Sequence, residues 1–223
     1  MIQLALSTSV AETSCALLLD DKIDEIIFER ERTPVCEAIT DNIALLLKRN
    51  SISRTDLELI GIDIGPGSFT GIRIGITTAN ALGLGLNIPV TGISTLEILA
   101  NTYIKNNLVN DETIIKAGIN AGRKEVYTTS FSIENHNIKR LENDHIINIE
   151  DFHKNMQTDI IIGYNLQSLV NEIIPIQPVA SSIFKITKNI DLNTQKLSFA
   201  SPNYVRLSDA EVNHIKQRET SSK

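Results

Sequence analysis

The sequence is poor in cysteine and in aromatic residues. Only two cysteines, Cys15 and Cys36, occur in 223 residues, and tryptophan is absent. These cysteines fit no metal-ligand spacing, and so small a number is typical of proteins from a reducing cytosol. Aromatic residues make up 4% of the chain, so we expect a core of aliphatic side chains.

Long apolar runs and an excess of basic residues are also missing. No run approaches the roughly 18 residues of a membrane-spanning candidate, and the chain opens on a strand-like segment without a secretory signal pattern. The formal net charge is −6, so the chain lacks the broad basic face that holds nucleic-acid phosphates unaided. We therefore expect a soluble, cytoplasmic protein that does not bind membranes and does not bind RNA tightly by itself.

Alternating strand and helix patterns indicate an α/β protein. Three strand-like segments separated by turn signals lie between residues 2 and 30, which is typical of an antiparallel meander. Apolar side chains at helical spacing then predict helices over 37–50 and 71–86, and buried strands are expected at 59–64 and 88–93. Farther along, Ser94-Thr-Leu-Glu97 predicts a capping box that opens another helix, and residues 165–174 are predicted to form a helix that Pro175 ends.

The strand-turn-strand-turn-strand rhythm of the opening recurs after residue 105. This recurrence indicates an internal repeat, with two small lobes that each contain a mixed sheet flanked by helices. We place the N-terminal lobe at 1–104 and the C-terminal lobe at 105–212. Residues 213–223 are predicted to form a polar, frayed tail.

A glycine-rich segment joins the strand at 59–64 to the helix that follows. Glycine permits positive φ angles and close backbone approach, and a loop that leads into a helix N-terminus can present N–H groups to an anion. Ser68 or Thr70 can cap the helix. The spacing fits neither a Walker A loop nor Gly-x-Gly-x-x-Gly, so a simple tight turn and an anion site both remain open interpretations.

The residue identities in this segment are more specific than the spacing of its glycines. Gly65-Pro-Gly-Ser-Phe-Thr-Gly-Ile-Arg-Ile-Gly75 closely resembles the signature of the TsaB (YeaZ) family, the partner subunits in bacterial synthesis of N6-threonylcarbamoyladenosine (t6A) in tRNA. Other segments similar to the family occur in the same order, so the resemblance covers nearly the whole chain. They are Leu-Ala-Leu-Ser-Thr-Ser at the start, Pro89-Val-Thr-Gly-Ile-Ser-Thr-Leu96, Gly122-Arg-Lys-Glu-Val-Tyr127 and Pro202-Asn-Tyr-Val-Arg206.

The resemblance implies an actin/Hsp70-like (ASKHA) fold and a non-catalytic scaffold or activator subunit. Such a subunit would pair with the catalytic subunit TsaD, help to recruit the ATPase TsaE, form a homodimer when alone, and meet tRNA only through the complex. It would need no cofactor of its own, and any ATP or ADP would lie at the partner interface.

Two sets of residues are predicted to carry these roles. Arg73, on the first turn of its helix, is placed to meet an acidic partner or an anion. The candidate phosphate or anion loop consists of Ser7, Thr8, Ser9, Gly65, Gly67, Ser68, Thr70 and Gly71. The candidate partner interface consists of Ile39, Ile43, Leu46, Leu47, Ile72, Arg73, Ile76 and Ala79.

The chain departs from the family pattern at positions that bear on catalysis. Most relatives have an Asp where this chain has Ser7, and an Asp-Ala-Arg motif where it has Asn120; they also commonly carry a His near the segment Val35-Cys36-Glu37. A serine hydroxyl can bind a phosphate but does not supply the charge that holds Mg²⁺. These differences argue against catalysis, although a small ATPase or small-molecule kinase that uses the Ser7–Ser9 turn and the Gly65–Gly71 loop remains the alternative.

Peptidase chemistry has little support in the sequence. The four histidines contain no pair spaced four apart, as a metal-binding His-x-x-x-His helix requires, and no Gly-x-Ser-x-Gly elbow occurs. The histidines are His136, His145, His153 and His214. We expect each of them to be a surface or loop residue and predict no metal site.

Overall fold

The structure is a computed structural model that describes residues 1–29, 35–154, 159–192 and 197–206. Its first sheet has five strands in the order β3-β2-β1-β4-β5. The strands β1 to β3 form the predicted antiparallel meander, β4 pairs in parallel with β1, and β5 pairs in parallel with β4. The strands are β1 (Ile2–Ser7), β2 (Glu12–Leu19), β3 (Lys22–Glu29), β4 (Leu59–Asp63) and β5 (Val90–Ile93).

The second sheet repeats this arrangement. Its order is β11-β10-β6-β7-β8, with an antiparallel meander β6 to β8, the parallel strands β10 and β11, and β9 paired with β7. The match in order and direction confirms the duplicated α/β fold. The strands are β6 (Ile114–Gly122), β7 (Glu125–Glu134), β8 (Asn137–Arg140), β9 (His145–Asn148), β10 (Ile160–Tyr164) and β11 (Ile174–Pro175).

Helices cover both faces of the first sheet. Side chains of α1 (Val35–Arg49) and α2 (Phe69–Leu86) share a cluster with Leu4, Leu6 and Leu17. The opposite face, which carries Ala5 and Ala16, packs against a 3₁₀ segment at Ala180–Ile183 and the short helix α5 (Phe184–Thr187). The core is aliphatic, as the composition predicts.

The division of the chain into lobes at residue 105 needs correction. Helix α3 (Thr95–Asn106) runs across that position, and its Leu96, Leu99 and Tyr103 pack on the second sheet. Conversely, the segment 180–187, predicted for the second lobe, packs on the first sheet. Long-range packing that the local sequence pattern does not encode causes this exchange. The predicted tail at 213–223 lies outside the described residues.

Two local predictions are wrong. Residues 165–174 do not form a helix: turns closed by Val170 N–H donating to Leu166 O, at 2.9 Å, lead to β11. Parallel strands joined by a full helix need about a dozen or more linking residues, and fewer separate β10 from β11. At the start of α3, Ser94 makes no capping hydrogen bond, because its hydroxyl donates instead to Asp144 Oδ2 at 2.6 Å.

The other helix is α4 (Ile149–Lys154), which follows β9. Its Phe152 is fully buried with Leu166 and Val170 on the face of the second sheet opposite α3. In the described residues, no helix combines the length and the apolar character that crossing a membrane requires.

Candidate functional site

The glycine-rich loop joins the end of β4 to the start of α2. Ser68 is the N-cap residue, and its hydroxyl accepts a hydrogen bond from Gly71 N at 3.3 Å. Capping by Ser68 is therefore confirmed, whereas Thr70 lies exposed on the first turn. An α-helix that begins in this way directs its free N–H groups toward the loop.

The Ser7–Ser9 turn lies directly against this loop, so the structure brings together the two halves of the predicted anion site. Ser68 N donates to Ser9 O at 2.6 Å, and Thr8 Oγ1 donates to Gly71 O at 2.8 Å. A Cβ atom on Gly67 would lie 2.3 Å from Ser9 O. Ser9 O is a backbone atom that cannot rotate away, so close approach explains why glycine occupies position 67.

A buried carboxylate that sequence reasoning missed lies at the centre of this arrangement. Asp63, the last residue of β4, is 0% exposed. Its Oδ2 accepts from Ser9 N at 2.8 Å and from Ser7 Oγ at 3.1 Å. Thr8 N lies 2.9 Å from Oδ1, and Thr8 Oγ1 lies 3.3 Å from the same atom.

Asp63 thus places a carboxylate beside Ser7, the position where the family resemblance implies an acid. Burial raises the pKa of Asp63, while hydrogen bonds from the backbone of Thr8 and Ser9 oppose that rise. The signal that could have identified it is the charged residue in the otherwise apolar run Leu59–Ile64. Charged residues are rarely fully buried unless they have partners.

The hydrogen bonds of this cluster are directed inward. Ser7, Thr8 and Ser9 are each at most 1% exposed, and the N–H groups of Thr8 and Ser9 donate to Asp63. A bound phosphate would have to displace the carboxylate from these donors. The arrangement therefore joins β1, β4 and the start of α2, and it favours the tight-turn interpretation of the loop.

The predicted partner interface requires correction because most of its side chains belong to the core. Six of the eight residues are at most 7% exposed, and all six pack in the cluster between α1, α2 and the first sheet. A partner does not reach these side chains in this conformation. The six are Ile39, Ile43, Leu46, Ile72, Ile76 and Ala79.

The other two predicted interface residues are accessible. Leu47 is half-buried against the core, and Arg73 is exposed. The Arg73 guanidinium lies 3.9 Å from the centre of the Phe69 ring, and its Nε donates to Tyr204 Oη at 2.9 Å. Phe69 and Tyr204 stack with their ring centres 4.6 Å apart, so Arg73 joins α2 to the chain segment near residue 204.

The exposed surface of α2 has an unusual composition. Arg73 is the only charged residue in the 18 residues of this helix. Leu84 is 65% exposed, and on the neighbouring helix α1 Leu45 is 49% exposed. We call the exposed residues of α2 that follow Arg73 the neutral α2 face; they are Thr77, Ala81, Leu84 and Gly85.

A polar cluster around Asp144 connects the two sheets and the C-terminal segment. Besides the Ser94 hydroxyl, Asp144 accepts from Asn203 Nδ2 at 2.7 Å and from Arg140 Nη1 at 2.5 Å. Arg140 also pairs with Glu97 at 3.0 Å. Ser94 and Glu97, which predicted a capping box, therefore bind Asp144 and Arg140 of the second lobe instead.

The remaining predicted chemistry lies apart from the loop. Asn120 Oδ1 accepts from Gly122 N at 2.8 Å within the β6–β7 turn. Among the described residues, no group of three or more His, Cys, Asp and Glu side chains is arranged to hold a metal ion. The side chain of His153, and all of His214, lie outside the described part of the chain.

The duplicated five-stranded unit, with its glycine-rich loop against the first hairpin, defines an α/β protein of the actin/Hsp70-like class. Two solved structures from Pseudomonas aeruginosa share this fold. One is an uncharacterized protein with similarity to peptidase YeaZ, with a TM-score of 0.74 and 21% identity over 92% of this chain and 99% of that one. The other is YeaZ, with a TM-score of 0.71 and 19% identity over 89% of this chain and 99% of that one.

Sequence comparisons then identify the family. The model of the family "TsaD: tRNA N6-adenosine threonylcarbamoyltransferase" matches residues 35–202. The tRNA threonylcarbamoyladenosine biosynthesis protein TsaB of Escherichia coli is 32% identical over 69% of this chain. The Bacillus subtilis protein of the same name is 31% identical over 68%. The chain therefore belongs to this family, and within it to the TsaB (YeaZ) proteins.

The aligned segments cover slightly less than two thirds of those two relatives. They span 65% of the length of the Escherichia coli protein and 64% of the Bacillus subtilis protein.

Proposed function

We propose that this chain is a non-catalytic scaffold or activator subunit in t6A synthesis, and that it pairs with a TsaD-like catalytic subunit. The neutral α2 face carries this proposal. A water-facing helix normally has charged residues on its outer side, whereas an exposed uncharged face rich in small residues lets a second helix approach closely. Its exposed Leu84 supplies an apolar contact for such a partner.

The interior of the loop supports a role without catalysis. The donors that would hold a phosphate in a kinase of this fold are satisfied by Asp63. Because Asp63 is itself fully buried, its carboxylate is not presented to a substrate or a metal. The role proposed for the chain is contact, and the partner subunit would transfer the threonylcarbamoyl group to tRNA.

The other proposed partners follow from family membership. The pair would recruit a TsaE-like ATPase, and tRNA would bind through the assembled complex, since the net charge of −6 gives this chain no basic excess. Without its partner, the chain would cover the neutral α2 face by forming a homodimer. Any ATP or ADP would lie at the interface with the partner, and the proposed site of action is the cytosol.

Co-purification with a TsaD homologue tests the interface. The exposed-residue variants Ala81→Asp and Leu84→Asp place a carboxylate on the neutral α2 face, and we expect each to weaken the complex by roughly tenfold or more. Leu108→Asp is the matched control, because Leu108 is a fully exposed leucine on the segment after α3. Circular dichroism melting should show that all three variants remain folded.

Retention of the complex by both α2 variants would refute this assignment of the interface. A transfer assay tests the catalytic role separately: t6A should form with both subunits, and omission of the TsaD homologue should abolish it. Substantial transfer by this chain alone would refute the scaffold role. Recruitment of the ATPase should likewise require the pair, so equal capture by the isolated chain would contradict that part of the proposal.

A further inference from the structure

A cavity lies on the opposite side of the first sheet from α1 and α2. Its volume is about 620 Å³, within the 300–1,000 Å³ range of small-molecule sites. The turn between β2 and β3, the end of α3 and the helix α5 enclose it. The charged residues of its lining are Asp20, Asp21, Lys105, Lys185 and Lys188.

Three lysines from two elements converge on this cavity. Lys105 lies in the last turn of α3, Lys185 lies in α5, and Lys188 follows α5 directly. Lys105 Nζ donates to Ser181 Oγ at 3.2 Å, and Lys185 Nζ donates to His136 O at 2.8 Å. Among the described residues, none of the three forms an ion pair with a carboxylate.

The closeness of two of these lysines is electrostatically unfavourable. Burial lowers the pKa of Lys185, and the charge of Lys188 lowers it further. An anion bound between two ammonium groups would relieve this repulsion. The lining also includes Asp20 and Asp21, so the positive excess is small and suits a single negative charge better than a polyphosphate.

The lining also has an apolar part, beside polar residues of α3 and of the 3₁₀ segment. Phe184 is 3% exposed, whereas Ile23 is 45% exposed although it belongs to the cavity wall. Burying such a side chain against a ligand is favourable by roughly 25 cal/mol per Å² of apolar surface. Leu18 and Met1 extend the same wall, so a ligand here would meet hydrocarbon on one side and ammonium groups on the other.

We propose that this cavity binds a small organic monocarboxylate, with its carboxylate between Lys185 and Lys188 and its apolar body against Ile23 and Phe184. This site lies across the sheet from the neutral α2 face and is independent of the proposed scaffold role.

Titration of the isotopically labelled full chain with octanoate, followed by amide NMR, tests the proposal. We expect saturable shifts of the amides of Ile23, Phe184 and Lys185. Octan-1-ol, which lacks the charge, and acetate, which lacks the apolar body, should each bind at least roughly tenfold more weakly.

The double variant Lys185→Gln/Lys188→Gln should weaken octanoate binding by roughly tenfold or more, because it removes both charged donors. Lys48→Gln is the control, since Lys48 is exposed on α1 on the other side of the sheet. Ile23→Ser should also weaken octanoate binding. Because Ile23 is exposed, this substitution should leave the chain folded, so a loss of binding can be separated from a loss of folding.

Four outcomes would overturn the proposal. They are shifts absent from the three cavity amides, equal binding of octanol and octanoate, equal binding of acetate and octanoate, and unchanged affinity in the folded double-lysine variant.

Discussion

Replacement of Asp63 tests whether its carboxylate holds the site together as a hydrogen-bond acceptor. Asp63→Ala would leave the N–H groups of Thr8 and Ser9, and the Ser7 hydroxyl, without their present acceptor. A buried donor that loses its partner costs about 1–3 kcal/mol. The two backbone donors alone therefore predict a loss of about 2–6 kcal/mol in the free energy of unfolding.

Asp63→Asn should be much less harmful. An amide oxygen in the place of Oδ2 keeps the hydrogen bonds from Ser9 N and Ser7 Oγ, and it can also accept from Thr8 N, which lies 3.0 Å from Oδ2. The amide nitrogen in the place of Oδ1 can donate to Thr8 Oγ1, whose own hydrogen points to Gly71 O at 2.8 Å. The substitution also removes a buried charge, and desolvation of such a charge is costly, so we expect a change within about 1.5 kcal/mol.

The wild type and the Asp63→Asn variant should differ in their pH dependence. Because burial raises the pKa of Asp63, the folded state binds this proton more tightly than the unfolded chain does. The stability contributed by the group is therefore present at low pH and falls as pH rises from the ordinary carboxyl range through the raised pKa. The side-chain amide introduced by Asp63→Asn does not titrate, so the variant should gain on the wild type across that window.

Urea denaturation followed by circular dichroism, at several pH values, measures the free energy of unfolding of the Ala variant, that of the Asn variant, and the pH dependence of both relative to the wild type. Asp21→Asn serves as the control, because Asp21 is exposed in the β2–β3 turn, and it should have little effect. An Ala variant as stable as the wild type would refute the acceptor role. An Asn variant as damaged as the Ala variant would show that the charge itself is required.

Three further predictions follow from the same region and its surroundings. Gly75→Ala should cost about 1–3 kcal/mol of stability, because the new Cβ would lie 2.1 Å from Thr8 Oγ1, whereas Gly85→Ala meets nothing within 4 Å and should gain about 0.5–1 kcal/mol; paired urea curves measure both. Burial raises the pKa of Cys15 to about 12, so at a pH of about 8 iodoacetamide should label the exposed Cys36 and spare Cys15 until the chain unfolds. Calorimetry with Mg-ATP should detect no binding to the isolated chain, and tight binding with turnover would instead support the kinase or ATPase alternative.

Much of the fold could be predicted from the sequence because it depends on local patterns. The strands of the opening meander and the helix at 71–86 each carry their own periodicity and turn signals, and the structure contains them with small shifts of their ends. The internal repeat is visible as a recurring rhythm for the same reason. The helix predicted at 165–174 fails because the short distance to β11, rather than the local pattern, decides the conformation there.

The candidate site could be predicted only in part, because its decisive contacts join distant parts of the chain. The loop and the Ser7–Ser9 turn are both recognisable in the sequence, but Asp63 binds residues 54 to 56 positions away. The local pattern at Ser94 predicts a capping box, and the competing contact with Asp144 is 50 positions away. Periodicity also marks the apolar stripes of α1 and α2 without telling whether each stripe packs on the sheet or on a partner.

The contacts of the buried loop explain why the neutral α2 face points away from the sheet. The tight contact of Gly67 with Ser9 O, and the inward hydrogen bonds to Asp63, hold the start of α2 against β1. Its apolar residues Ile72 and Ile76 then face the sheet, which turns the remaining uncharged residues outward. A glycine loop that resembles a phosphate grip therefore positions a helix, and the exposed surface of that helix is where we expect selection for a partner to act.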